Sequence, residues 1–266
     1  MPDAIGTQTA GAPLGAAVAD DVLEDAAELR SMTVLPAARE NIEFHTEDGL
    51  TLVGELALPV NGQVDATLIT LHPLPTHGGF MDSHVYRKAA WRLPYLANIA
   101  VLRFNTRGTH SPRGTSEGEF GGGGPEGADV RAAVDFAVAR GLPNRWLLGW
   151  SFGTELALMH GAGLAVEGAV LLSPPLHRAG EGELEAWAAS GKPVTILVPE
   201  FDDYLRPDAA REAFAPLTQA TIIGVDDAKH LWVGEPYVRR VLDEIVGVVA
   251  PQHSPLPTHV PAHVAQ

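Results

Sequence analysis

The chain has 266 residues, 45% of them hydrophobic and 19% charged, which suits one large α/β domain or two small ones. Its 33 acidic residues against 18 basic ones leave a net charge of −15, which argues against nucleic acid or an anionic membrane surface as a partner. The absence of cysteine excludes a disulfide, a thiolate nucleophile and a cysteine metal site, and agrees with a cytoplasmic setting. No basic residue precedes Arg30 and no apolar run reaches membrane-spanning length, so neither a secretory leader nor a transmembrane helix is expected.

Residues 1–38 are rich in Ala, Gly and Asp and carry one helix-like patch at Asp21–Arg30. They read as a mobile arm or a surface-docked helix. Two strands, Asn41–Thr46 and Thr51–Leu58, follow across Asp48-Gly49, a pair that tolerates positive φ and so marks a hairpin. Then come a strand at Ala66–Leu71, a helix at Ser83–Leu96 and a strand at Ile99–Phe104. A long glycine-rich loop, Thr106–Gly127, leads to a helix at Ala128–Ala139. Beyond the strand at Arg145–Leu148 the pattern gives a helix from Phe152 to Ala162 and a strand at Gly168–Leu172. A short polar segment, His177–Lys192, precedes a strand at Pro193–Val198 and a helix at Pro207–Ala215. A strand at Ala220–Ile223 and a helix at Glu235–Val249 complete one domain, 39–250, and the Pro/His tail 251–266 reads as disordered. Strands alternating with helices after an opening hairpin predict a mostly parallel sheet covered on both faces.

Gly149-Trp150-Ser151-Phe152-Gly153 lies between a buried strand and a helix. A G-x-S-x-G in that context forces a tight turn with the serine at its apex, at a helix N-terminus that favours developing negative charge. Ser151 is therefore the candidate nucleophile. Its hydroxyl needs a base and an orienting carboxylate. In an open parallel sheet such groups gather in loops beyond the strand C-termini. Of the histidines, His230 lies between the last strand and the last helix, and is the candidate base. The carboxylate should follow the strand ending at Val198, where Glu200, Asp202 and Asp203 are available. The order Ser, Asp, His is the one expected for a G-x-S-x-G fold. One oxyanion donor should be the Phe152 N–H and another should come from the loop after Leu71. Proline lacks an N–H, so Pro73 and Pro75 drop out and Leu74 or Thr76 remain.

From Asn41 to Val249 the chain resembles the α/β-hydrolase superfamily, and more closely a group of compact bacterial serine hydrolases. The resemblance rests on His72-Pro73-Leu74-Pro75-Thr76-His77-Gly78-Gly79, on Leu102-Arg103-Phe104-Asn105 with Arg107-Gly108, and on Ser116-Glu117-Gly118-Glu119-Phe120. Leu74 stands where the group has a second histidine, and Pro199 where it has a glycine before the triad aspartate. The resemblance implies an α/β-hydrolase fold, mostly parallel and doubly wound with an N-terminal antiparallel hairpin, and no large cap domain over the site. It favours Asp202 over Asp203 as the triad acid and Leu74 as the second oxyanion donor. The activity implied is hydrolysis of an ester, thioester or activated amide of a small acyl substrate, with no cofactor and no metal. The alternatives are acyl transfer by the same triad in a biosynthetic pathway, or a non-catalytic binding protein on the same fold. The arginines at 103 and 107 read as structural partners of carboxylates, and Trp150 and Trp232 as either pocket or core.

Overall fold

The structure, a computed structural model, describes residues 25–265. Most of the expected arm, 1–24, lies outside them. The part of the helix-like patch within them forms a turn and a short strand, β1 (Ala26–Glu28), not a helix. The hairpin follows as β2 (Ala38–His45) and β3 (Thr51–Leu58), paired from Ala38 opposite Leu58 to His45 opposite Thr51. Gly49 takes φ 87° at its turn, where an L side chain would be strained.

Next come β4 (Ala66–Leu71), α1 (His84–Ala97) and β5 (Ile99–Phe104). The glycine-rich loop contains a small hairpin, β6 (His110–Ser111) with β7 (Gly114–Thr115), before α2 (Gly127–Ala139). The rest of the body is β8 (Arg145–Trp150), α3 (Phe152–His160), β9 (Gly168–Leu172), α4 (Glu181–Ser190), β10 (Val194–Phe201), α5 (Pro207–Ala213), β11 (Ala220–Lys229) and α6 (Glu235–Val249).

Eight strands form one sheet in the order β11-β10-β9-β8-β4-β5-β3-β2. The pairings β2/β3 and β3/β5 are antiparallel and the other five are parallel. Every residue of β4 and β5 is buried, because both faces of these central strands are covered. Successive side chains therefore serve opposite layers. Leu68, Val101 and Leu148 pack with α1 and α6, whereas Ile69, Leu102 and Leu147 pack with α2, α3 and α4.

Two segments differ from expectation. His177–Lys192, read as a polar insertion, contains α4, the crossover helix between β9 and β10. Its Leu184 and Trp187 are buried, and the Trp187 indole N–H reaches the carbonyls of Ala157 and Leu158. The few apolar residues in this short helix hide its period, but they are the ones that dock. The tail 251–265, expected to be disordered, packs on the body. Its strand β12 (His259–Pro261) pairs antiparallel with β1, Leu256 and Val260 are buried, and His253 Nε2 sits 2.7 Å from Asp65 Oδ2. Among the described residues no helix is long and apolar enough to cross a membrane.

Candidate active site

Ser151 occupies the turn between β8 and α3 with φ 53° and ψ −116°, a conformation that L residues avoid and that must be imposed by its surroundings. Two glycines impose it. A Cβ at Gly153 would lie 1.8 Å from the Leu71 carbonyl oxygen, and one at Gly149 would lie 2.5 Å from the Gly153 carbonyl oxygen. The turn thus brings α3 hard against β4 and lifts the hydroxyl out of the packed layers. The Ser151 N–H donates to Leu172 O at 2.9 Å and ties the turn to β9 as well.

The two partners come from the next loops across the sheet. Asp202 directly follows β10 and His230 directly follows β11. Both strands run several residues beyond the expected ends at Val198 and Ile223, with an irregularity in their pairing between Pro199 and Phe201. His230 Nε2 lies 2.9 Å from Ser151 Oγ, and His230 Nδ1 lies 2.9 Å from Asp202 Oδ2. Asp202 and His230 are buried while Asp203 is exposed, so the structure brings Asp202 and not Asp203 to the imidazole. The other carboxylate oxygen, Asp202 Oδ1, accepts the Tyr204 and Leu205 N–H groups at 2.9 and 3.3 Å. Burial alone would push this carboxyl up. The hydrogen bond from His230 and those two amides outweigh it and hold the group below the usual carboxylate range. The His230 carbonyl is held in turn by the Trp150 indole N–H at 3.1 Å and the Ser173 hydroxyl at 3.2 Å. Trp150 and Trp232 are both buried, so they belong to the core and not to the pocket lining.

Phe152 and Leu74 line the same cleft as Ser151 and His230, a space of about 410 Å³. Phe152 is the first residue of α3, so its N–H has no acceptor one turn back. Leu74 begins a single helical turn, Pro75–His77, in which the Leu74 carbonyl accepts the His77 and Gly79 N–H groups. A Cβ at Gly79 would lie 2.1 Å from Pro73 O, which explains the glycine after the turn.

His72 was not among the expected site residues, although it stands in the quoted tract. It is fully buried. Its Nδ1 lies 2.7 Å from Pro73 O, and its Nε2 accepts the Thr106 N–H at 3.1 Å. The ring therefore carries its proton on Nδ1. Burial pushes its pKa down to about 4, against the opposing hydrogen bond to Pro73 and the Glu126 carboxylate. The neutral ring clamps the Leu74 loop to the start of the Thr106–Gly127 loop. That second loop is itself organised: Glu126 accepts the Gly121 and Gly123 N–H groups at 2.6 and 2.7 Å. Phe120 packs edge-on against Phe152, with ring centroids 5.4 Å apart. Arg103 and Arg107 pair with carboxylates, Arg103 with Glu55 and Asp82 and Arg107 with Asp48 and Asp129.

No protein-family model and no curated protein sequence matches the chain. Solved structures do. A lidless α/β serine hydrolase of Xanthomonas campestris is 27% identical with a TM-score of 0.63, over 81% of this chain and 94% of that one. An α/β serine hydrolase homologue from Coxiella burnetii is 22% identical with a TM-score of 0.63, over 78% and 95%. A Pyrococcus furiosus esterase is 19% identical with a TM-score of 0.61, over 80% and 94%. With its sheet order and its neighbours in agreement, the chain has the α/β-hydrolase fold, mostly parallel and without a large cap domain.

Proposed function

We propose that this protein is a serine hydrolase that cleaves an ester, thioester or activated amide of a small acyl substrate through an acyl-enzyme on Ser151. The observation that carries the reading is the hydrogen-bonded line from Ser151 Oγ through His230 to Asp202, standing on a strained, glycine-flanked turn. Ser151 Oγ attacks the acyl carbon as its proton passes to His230 Nε2. The carbonyl oxygen becomes an oxyanion that accepts hydrogen bonds from the Phe152 and Leu74 N–H groups, worth on the order of 100-fold or more in rate for each donor. Collapse of this intermediate breaks the bond to the leaving group, which takes the proton from His230. Water then gives a proton to His230 and attacks the acyl-enzyme, releasing the acid and restoring the Ser151 hydroxyl. Asp202 keeps the imidazole in the tautomer with its proton on Nδ1 and stabilises the imidazolium that forms twice per turnover.

Intact mass after treatment with a fluorophosphonate tests the assignment. Wild type should gain one equivalent of probe and Ser151→Ala none. Labelling of the alanine variant would move the nucleophile elsewhere.

A further inference from the structure

Arg178 stands at the rim of the Ser151 cleft, and its side chain is built into place. The backbone beneath it is pinned by Glu155, a fully buried carboxylate in α3 that accepts the N–H groups of His177, Arg178 and Ala179 at 2.7, 3.0 and 2.7 Å. The guanidinium Nε donates to Gly122 O at 2.8 Å. Its Cζ lies 5.1 Å from the ring centroid of Phe152, the residue after the nucleophile. Gly123, at φ 118°, makes room for it: a Cβ there would come within 3.2 Å of Arg178 Cδ. Three restraints thus fix a side chain that would otherwise lose much conformational freedom on binding. Yet among the described residues the two Nη groups meet no acceptor and the guanidinium pairs with no carboxylate. Asp203 borders the same cleft without forming an ion pair to it.

A fixed, forked, unpaired donor beside the nucleophile suits an anionic group on the substrate. We propose that Arg178 selects substrates carrying a carboxylate, such as a half-ester of a short dicarboxylic acid. The proposal rests on the serine hydrolase reading of the same cleft. The long-range field of a chain of net charge −15 repels anions, so the preference must arise from local contact with the guanidinium.

The test compares kcat/KM for 4-nitrophenyl butyrate with that for the 4-nitrophenyl half-esters of succinate and glutarate. A second arm moves the carboxylate to the leaving group, with 4-carboxyphenyl butyrate against phenyl butyrate. Wild type should favour the anionic member in one arm by about tenfold or more, the span of one charge-assisted hydrogen bond. Arg178→Gln should abolish that ratio, and Asp203→Asn should widen it. Calorimetric binding of monomethyl glutarate and of methyl butyrate to Ser151→Ala protein reads the cation without turnover. Turnover with no anionic preference in either arm, or a preference that survives Arg178→Gln, would overturn the proposal and leave the hydrolase reading standing. Anion-selective binding to Ser151→Ala that Arg178→Gln removes, with no turnover by wild type, would sink the hydrolase reading and keep the anion site.

Discussion

At Ser151 a strained backbone presents the proposed nucleophile. The φ of 53° persists because the carbonyls of Leu71 and Gly153 occupy the space that side chains at 153 and 149 would need. Gly153→Ala should therefore displace either α3 or β4, lowering stability by about 1–3 kcal/mol or more and misplacing both the hydroxyl and the Phe152 N–H. Chemical denaturation together with probe labelling checks this, and a variant of wild-type stability and labelling rate would contradict it. The proposed triad acid is equally a matter of single atoms. Only Asp202 reaches His230 Nδ1, so Asp202→Asn should lower kcat by about 10⁴-fold through the wrong tautomer, and Asp203→Asn by far less. Equal losses would refute the pairing. His230 could be found from its place after the last strand, because a parallel sheet gathers such groups at one edge. Spacing alone left Glu200, Asp202 and Asp203 open, since it does not say which carboxylate turns inward; only the family resemblance favoured Asp202, the one that meets His230.

Loops beyond the strands are where sequence reading stopped short. The tract His72–Gly79 was recognisable, but the part played by His72 depends on Thr106, far along the chain, whose N–H it accepts. A neutral buried imidazole leaves a signature in stability. Its folded pKa, about 4, is depressed from the usual 6.5, so the unfolded chain binds a proton that the folded one does not. Stability should therefore fall as pH drops from about 6.5 to about 4 and then level off for this group, a loss on the order of 3 kcal/mol. Denaturation curves of wild type and His72→Gln between pH 7 and pH 4 isolate it, because the variant lacks that slope. The same variant should lose kcat, since it frees the loop that carries Leu74, the proposed second oxyanion donor. Parallel slopes would mean that His72 does not hold the loop in this form. The tail misled for a different reason: Pro and His suggest a solvated coil, but an edge strand tolerates proline, and Leu256 and Val260 find apolar cover. The Asp65 carboxyl, drawn down to about 2 chiefly by its hydrogen bond with His253, is the tether. Asp65→Asn should speed amide exchange across 251–265 while leaving the central strands protected. Unchanged exchange in the tail would place the tether elsewhere.

Across the whole molecule, the order of strands and helices could be read because short, mostly apolar runs such as Ala66–Leu71 and Ile99–Phe104, alternating with helical segments, point to a doubly covered sheet. Helix α4 escaped that reading, and it bears on substrate size. It packs Trp187 into the core beside α3 and so serves as a crossover layer, not as a roof over Ser151. The Thr106–Gly127 loop is tied down by Glu126 and by the Phe120–Phe152 contact, and none of its residues lines the cleft. The rim is instead open, with Leu231 and Tyr204 each 56% exposed beside the cleft along with the polar Arg178 and Asp203. Such a rim covers the first few carbons of an acyl chain and leaves the rest in water. Each methylene buried in a tunnel contributes about 0.8 kcal/mol, or about fourfold in kcat/KM. An open cleft should gain that increment only for the carbons nearest the carbonyl, after which the profile flattens or falls. Across 4-nitrophenyl esters from acetyl upward, kcat/KM should accordingly peak at or below about hexanoyl, the length at which further methylenes add no burial. A rise that continues into the long chains would require a roof that α4 and the Glu126-bound loop do not provide.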